Sequence, residues 1–413
     1  MPRGFAGRLA LIAAAGLALR LLYVLWVMHG RGVAGDGAEF HILANQLADG
    51  LGYVQPLIVS PDHLPTADKP PLYPLLLALP SWLGLDSIGA HRVVSALMGT
   101  ALVPAVGLLG RRAGGERAGL IAAALAAVHP ALVVLDGSLR SESLYAPLIA
   151  LALLAAYRLL DRPTAARAGV LGGLVGLAAL TRSEALLLLA LLVVPVAALT
   201  PRGSCARTVA VAGLAFALVL APWLVRNWAR FDRPLLSTNA GSLAYGANCD
   251  AAYHGELTGS WPCFPPLRAT GERDEADVSA ELRRRGTRYA RDHAGRVPAV
   301  VAVRELRTWD LWDPGPATRL EARIGDRDLG AHRAGVAVHL LLLVPAVGGA
   351  LALRRRGERL RVLLAPVALA IAVAALGYGT TRFRVPADVA IVILAAVAIG
   401  ALADRRGSRT TLA

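Results

Sequence analysis

The sequence predicts an all-α polytopic membrane protein with about ten transmembrane helices and two long extracytoplasmic loops. Three observations carry this. Hydrophobic residues fill 55% of the 413 positions and charged residues only 17%, where soluble chains carry about a quarter charged. The apolar residues gather into runs at 9–28, 93–110, 118–135, 144–160, 165–180, 185–199, 209–225, 334–353, 362–378 and 385–403. Most runs reach the roughly 17–25 residues that cross a hydrocarbon core of about 30 Å, and none shows the polar stripe of a soluble amphipathic helix.

The third observation is where the arginines fall. They collect in alternate gaps: Arg3 and Arg8; Arg111, Arg112 and Arg117; Arg158, Arg162 and Arg167; Arg202 and Arg207; Arg354 to Arg361; then Arg405, Arg406 and Arg409. That is the positive-inside pattern, which places both termini in the cytoplasm and makes the number of spans even. The formal charge of +14 therefore reports topology, and no nucleic-acid partner is expected.

Taken in order, 9–28 follows basic residues as a signal peptide would. It is longer than a usual apolar signal core and no small-x-small cleavage site follows, so it reads as an uncleaved first helix. Arg20 lies deep within this run, facing the bundle interior or a wet cavity. The outer segment 30–87 holds six acids against Arg31 and Lys69. Its stretch Lys69-Pro70-Pro71-Leu72-Tyr73-Pro74 leads into an apolar tail too short and proline-broken to span, which predicts an interfacial helix.

The second outer segment, 226–332, carries 16 arginines and 15 acids. It is nearly neutral and reads as a small loop domain on the outer surface, with a polar helix over 274–293 and interface-type Trp309 and Trp312. The organisation is then an N-terminal bundle (1–225) with its first outer loop (30–87), a loop domain (226–332) and C-terminal helices (333–413). Cys249 and Cys263 share the second outer loop, where an oxidising compartment permits a bridge contributing about 3 kcal/mol. Cys205 falls in a cytoplasmic gap.

Candidate chemistry lies at one face. Asp36 and Glu39 follow the first run, and a carboxylate there can deprotonate a hydroxyl or coordinate a cation; by position alone, a solvated loop acid is the better reading. Lys69 is the single lysine among 43 basic residues, and a compact ammonium beside two prolines suits a phosphate oxygen. Asp136, Arg140 and Glu142, Arg182 and Glu184, Arg226 and Arg230, and Arg382 and Arg384 sit at the same ends of other runs. Converging arginines there can bind a lipid-linked phosphate; head-group contact and loop pairing account for such residues as well.

Four stretches resemble a known family. They are Gly35-Asp36 with 44–53, running into Lys69-Pro70-Pro71; Leu180-Thr181-Arg182-Ser183-Glu184; Pro222-Trp223-Leu224-Val225-Arg226-Asn227, leading to Ser237-Thr238-Asn239-Ala240-Gly241; and Arg382-Phe383-Arg384-Val385-Pro386. In order and spacing the chain resembles the GT-C-type polyprenyl-phosphate-dependent glycosyltransferases of the dolichyl-phosphate-mannose protein mannosyltransferase class, which include lipid A aminoarabinose transferases. The resemblance implies a GT-C bundle and an inverting sugar transfer from a polyprenyl-phosphate donor at the outer face of the cytoplasmic membrane. The acceptor is a lipid, glycan or protein.

By the same resemblance Asp36 is the general base, and Lys69 and Arg226 bind the donor phosphate. Many members place glutamate directly after the aspartate; here Gly37 follows and Glu39 is the nearest acid. We add Arg382 and Arg384 to the phosphate ligands, and Glu142, Arg182, Glu184, Asn239 and Tyr245 as contacts to sugar or acceptor. No cofactor is called for, and nothing in the sequence indicates Mg or Mn. The alternative, a transporter or flippase, predicts ionisable residues deep in several spans and pseudo-symmetric halves, and the sequence shows only Arg20 deep and no repeat. A reporter fused after Ala413 is expected to read cytoplasm and one near Gly271 the outside. An outside signal at the C-terminus would make the span count odd and remove Asp36 from the outer face.

Overall fold

The computed structural model describes residues 4–56, 63–201, 203–265, 274–324 and 328–410; Arg3, Arg202, Gly271 and Ala413, named above, lie outside them. A chain in lipid has no water for its peptide groups and closes its hydrogen bonds within helices. Among the described residues there is no named strand, and one isolated antiparallel bridge joins Val54 to Pro65. The helices are α1 Phe5–Leu22, α2 Asp36–Ala48, α3 Leu72–Ser81, α4 Ile88–Thr100, α5 Leu102–Val128, α6 Pro130–Gly137, α7 Glu142–Asp161, α8 Ala165–Ala179 and α9 Val194–Ala198. They continue as α10 Cys205–Phe231, α11 Asn239–Ala247, α12 Asp250–Tyr253, α13 Glu275–Asp292, α14 Val297–Thr308, α15 Pro314–Ile324, α16 Leu329–Arg355, α17 Arg361–Leu376 and α18 Val385–Thr410.

Among the described residues, six elements can cross a membrane by length and composition: Phe5–Val27, Ile88–Val128, Glu142–Asp161, Cys205–Phe231, Leu329–Arg355 and Thr381–Asp404. Four shorter apolar helices accompany them, Leu72–Ser81, Ala165–Ala179, Ser183–Ala198 and Arg361–Leu376. The ten apolar runs therefore do not become ten helices of equal reach. The 41-residue element is itself two legs. Gly115, at φ 88°, turns the chain where a side chain would be strained, so Gly107 and Gly110 come to face Ala123 and Ala122 of the returning leg. At the centre, α18 lies between α5 and α16, and a Cβ at Gly349 of α16 would stand 1.9 Å from the Leu394 carbonyl. Only a small residue allows that approach.

The bundle has two chemically distinct ends. One gathers Arg111 with Glu116 (3.1 Å), Arg112 with Asp161 (2.9 Å) and Arg117 with Asp404. The other, reached by following α7 and α18 back to their first residues, holds Glu142 and Arg382. Between the ends, more charge is buried than the sequence revealed. Arg20 is joined by Asp136, and His339 and Asp388 are buried at 3.0 Å from one another, so Arg20 is not the only ionisable group in the interior.

The Arg20 contacts follow from one proline. Pro130 has no N–H for the Ala126 carbonyl, and the extended His129 ends α5 there. Arg20 substitutes: its guanidinium donates to the carbonyls of Ala126 (3.2 Å) and Ala127 (2.8 Å) while its Nε donates to Asp136 Oδ2 (2.7 Å). One side chain thus closes a helix break and neutralises a buried acid.

In the second outer segment α11 crosses α13, with Gly241 against Ser279 and Gly286 against Ala244. Asp274 caps α13 by accepting from the Asp277 N–H at 2.7 Å. Cys249 and Cys263 are joined by a disulfide, S–S 2.05 Å, and Cys205 is free.

The buried pair makes a test. Asp136→Ala strands the Arg20 charge and should lower stability by about 3–5 kcal/mol. The double variant Arg20→Met with Asp136→Leu should lose less than the sum of the single variants, read from thermal unfolding in detergent. Additive losses would mean that the two groups do not interact.

Candidate active site

The site begins where the chain leaves the first span. Gly35, at φ 57°, turns into α2, so Asp36 becomes its first residue and Glu39 follows in the same turn. Acids in a first turn are favoured by the helix dipole, and positions three apart share a face. Gly37 between them has no room for more: a Cβ would stand 2.6 Å from Val33 Cγ2 and 2.7 Å from the Ser138 carbonyl. The glutamate that follows the aspartate in many GT-C sequences cannot be housed on this backbone, and Glu39 supplies the second carboxylate.

Lys69 comes from an irregular segment whose backbone is held on every side. The Tyr53 hydroxyl donates to the Lys69 carbonyl at 2.9 Å and Ser237 Oγ to the Asp68 carbonyl at 2.6 Å. The Thr238 N–H donates to the Ala67 carbonyl at 3.0 Å, and the Ala67 N–H to Glu275 Oε1 at 3.0 Å. Glu275 also accepts from Thr238 Oγ1 and from Gln55 Nε2. So fixed, the ammonium is only 12% exposed and stands 3.3 Å from Asp36, 3.1 Å from Glu39 and 2.9 Å from Asp68.

The opposite side of Asp36 is cationic. Arg382 Nη1 donates to Asp36 Oδ2 at 2.6 Å, and Arg140 Nη1 lies 3.2 Å from the same oxygen. Arg382 is held in turn by Glu142, which accepts from Nε at 2.6 Å and from Nη2 at 3.2 Å. Glu142, fully buried at the start of α7, also accepts from Arg182 Nη1 at 2.9 Å, and Arg182 pairs with Glu184. Arg140 is aimed by its neighbour, since buried Leu139 adopts φ 49°, a conformation that costs a non-glycine residue about 1 kcal/mol.

Burial works to raise the Asp36 pKa, but Lys69, Arg382 and Arg140 outweigh it and hold the carboxyl well below the usual range. Glu39 goes the other way. Burial raises it, and Asp68 and Asp36 add to that against the pull of Lys69. Lys69 is raised, its three carboxylates outweighing burial. One carboxylate is thereby kept ionised beside another that takes a proton more readily.

Asp36, Glu39, Lys69, Arg382, Glu142, Arg182 and Glu184 thus come together in one cluster. Others assigned with them do not join it. Arg226, expected on the phosphate, donates to the carbonyls of Thr66 (2.6 Å) and Tyr53 (2.7 Å) and lies over the Trp223 ring, so it fastens the loop that carries Lys69. Arg384, next but one to Arg382, is buried with Asp310 and Asp388. Both arginines lie in one 3₁₀ turn, where positions two apart point to different sides. Asn239 opens α11 with its N–H on Ser237 Oγ, and Tyr245 lies on the same helix; neither contacts the cluster among the described interactions. Asp68 and Tyr378 were missed, and Arg140 was noted only as one of many charges at span ends. Adjacency to Lys69 could have flagged Asp68; Tyr378, within electrostatic reach of Asp36 and Arg382, had no sequence signal. Among the described residues no group of three or more His, Cys, Asp or Glu is set to hold a metal.

The helix arrangement is that of the GT-C fold. Residues 68–225 match the family model described as dolichyl-phosphate-mannose-protein mannosyltransferase. The chain is similar over its full length to 52% of the apo oligosaccharyltransferase of Archaeoglobus fulgidus, at 16% identity and a TM-score of 0.60. It is similar over 99% of its length to 51% of the oligosaccharyltransferase AglB from that organism in complex with an inhibitory peptide and a dolichol-phosphate, at 15% identity and a TM-score of 0.56. ArnT from Cupriavidus metallidurans bound to undecaprenyl phosphate aligns with 95% of this chain and 78% of its own, at 15% identity and a TM-score of 0.44. The chain thus spans about half the length of the oligosaccharyltransferase it matches. No curated protein sequence matches it.

The charge arrangement predicts an acid dependence. The lowered pKa of Asp36 contributes stability above its unfolded value of about 3.9, lost as pH falls through the folded value. Lys69→Met removes one cation from Asp36 and Glu39 together, so both take up protons at higher pH. The acid limb of the melting-temperature profile should move to higher pH in this variant. An unmoved limb would mean that Lys69 does not set the charge of these acids.

Proposed function

We propose that the chain is an inverting glycosyltransferase that moves a sugar from a polyprenyl-phosphate donor to an acceptor hydroxyl, in assembly of a cell-envelope glycan or glycolipid. The observation that supports it best is Asp36, an ionised carboxylate beyond the first apolar helix, in direct contact with Lys69, Arg382 and Arg140. The reaction needs a base for the acceptor and positive charge for the departing phosphate. A phosphate leaves as a stable anion, so no strong general acid is required.

In the proposed step the acceptor oxygen attacks the anomeric carbon from the face opposite the phosphate. Its proton passes to Asp36 as the bond from that carbon to the phosphate oxygen breaks, leaving the polyprenyl phosphate and an inverted linkage. The cations that hold Asp36 are those nearest for the phosphate. A donor phosphate that draws Lys69 and Arg382 toward itself takes positive charge away from Asp36 and makes it a better base. Glu142 keeps Arg382 in reach of both. Side chains alone supply these roles, and we assign no cofactor, with neither Mg nor Mn indicated.

We place the protein in the cytoplasmic membrane with both termini inside and the site outside. The arginine-rich end of the bundle supports this orientation, because the Asp36 cluster lies at the other ends of α7 and α18. The acceptor is a lipid, glycan or protein carrying the hydroxyl. The transporter or flippase alternative finds no support in the comparisons.

Asp36→Asn keeps size and most hydrogen bonding but removes the proton acceptor. It should lower the transfer rate about 10²–10⁴-fold in reconstituted vesicles while donor binding is largely kept, and Glu39→Gln should lose less. Transfer by Asp36→Asn at the parental rate would remove Asp36 as base. Lys69→Arg, which replaces a compact ammonium with a planar fork, should bind donor lipid more weakly than the parent and more tightly than Lys69→Ala.

A further inference from the structure

Four aromatic rings lead away from the ion cluster. Phe383, under the Arg182 guanidinium at 5.8 Å, meets Tyr378 with ring centroids 4.9 Å apart. Tyr378 lies within electrostatic reach of Asp36 and Arg382 and faces Trp261 at 6.5 Å with the planes tilted by 40°. Trp261 meets Phe264 at 5.5 Å, and Phe264 is 79% exposed. The rings come from three separate elements, yet they are fixed. Cys263, between Trp261 and Phe264, is bonded to Cys249, and Trp261 Nε1 donates to the Ser242 carbonyl at 3.0 Å.

We infer that this ladder is the acceptor subsite and that the acceptor is a carbohydrate chain at least two rings long, its terminal hydroxyl presented to Asp36. This rests on the transfer reaction proposed above. An aromatic face is negatively polarised and prefers partners that offer slightly positive edges, as the axial C–H groups of a pyranose do. The rings step outward at about one ring width. Apolar surface alone would equally suit an isoprenoid, but Trp261 and the exposed Phe264 lie outside the apolar helices long enough to cross a membrane, on the loop that carries the disulfide. Aromatic rings placed beyond the lipid match sugar rings better than a hydrocarbon chain.

The test is calorimetric binding to the full chain in nanodiscs, with mannotriose, maltotriose and chitotriose as probes beside the matching monosaccharides. At least one trisaccharide should bind saturably and more tightly than its monosaccharide. Phe264→Ala should weaken the trisaccharide about twofold to tenfold and leave the monosaccharide unchanged, while Phe264→Trp restores the loss. Phe264 is exposed, so its removal does not threaten folding. Three outcomes would overturn the inference: no trisaccharide binds, Phe264→Ala binds it as the parent does, or farnesyl phosphate displaces it and itself depends on Phe264. Because binding is read without transfer, the two proposals fail separately. Trisaccharide binding with no sugar transfer would sink the transferase reading and leave a carbohydrate site without an acceptor role, and transfer that ignores Phe264 would sink only this one.

Discussion

Arg382 is the group on which the site depends. One guanidinium accepts no proton and offers donors in a fixed plane, and here that plane joins Asp36 of α2 to Glu142 of α7. Three segments distant in sequence, including the start of the last span, are locked to one another by it. Glu142 is fully buried, and an uncompensated charge there would be costly. Arg182 and Arg382 together make its burial tolerable.

The same logic governs the interior. With no water to answer a peptide group or a charge, each break in a helix and each ionised side chain needs a partner from the protein. Arg20 serves a carbonyl that Pro130 leaves unanswered and an acid as well. Arg384, Asp310, Asp388 and His339 form a second buried set between α14, α16 and α18. These groups position helices; the Asp36 cluster lies at one end, where α2 and the Lys69 segment are partly open to solvent.

Reactivity in that cluster is a competition for positive charge. Asp36 is held by three cations and Lys69 by three acids. Such a network is stable only while nothing more anionic arrives, and a phosphate is a stronger claimant on arginine and lysine than a single carboxylate. The second outer segment takes part at a distance. Through Ser237, Thr238 and Glu275 it fixes the backbone around Lys69.

The sequence by itself determined the solvent. Apolar runs made this a membrane bundle, because hydropathy acts locally and survives in any order of packing. It also singled out Asp36, Glu39 and Lys69, since a rare lysine beside prolines and acids just beyond a span are visible without coordinates. Which charges meet was decided only by tertiary structure. Arg382 and Arg384 look equivalent in the chain, yet a 3₁₀ turn sends one to Asp36 and the other to Asp310. Arg226 fastens the loop that carries Lys69, and Arg140 entered the cluster through the left-handed turn at Leu139. A guanidinium reaches several ångströms in any direction its backbone allows, so its partner is fixed by helix rotation and turn geometry, which no local pattern records.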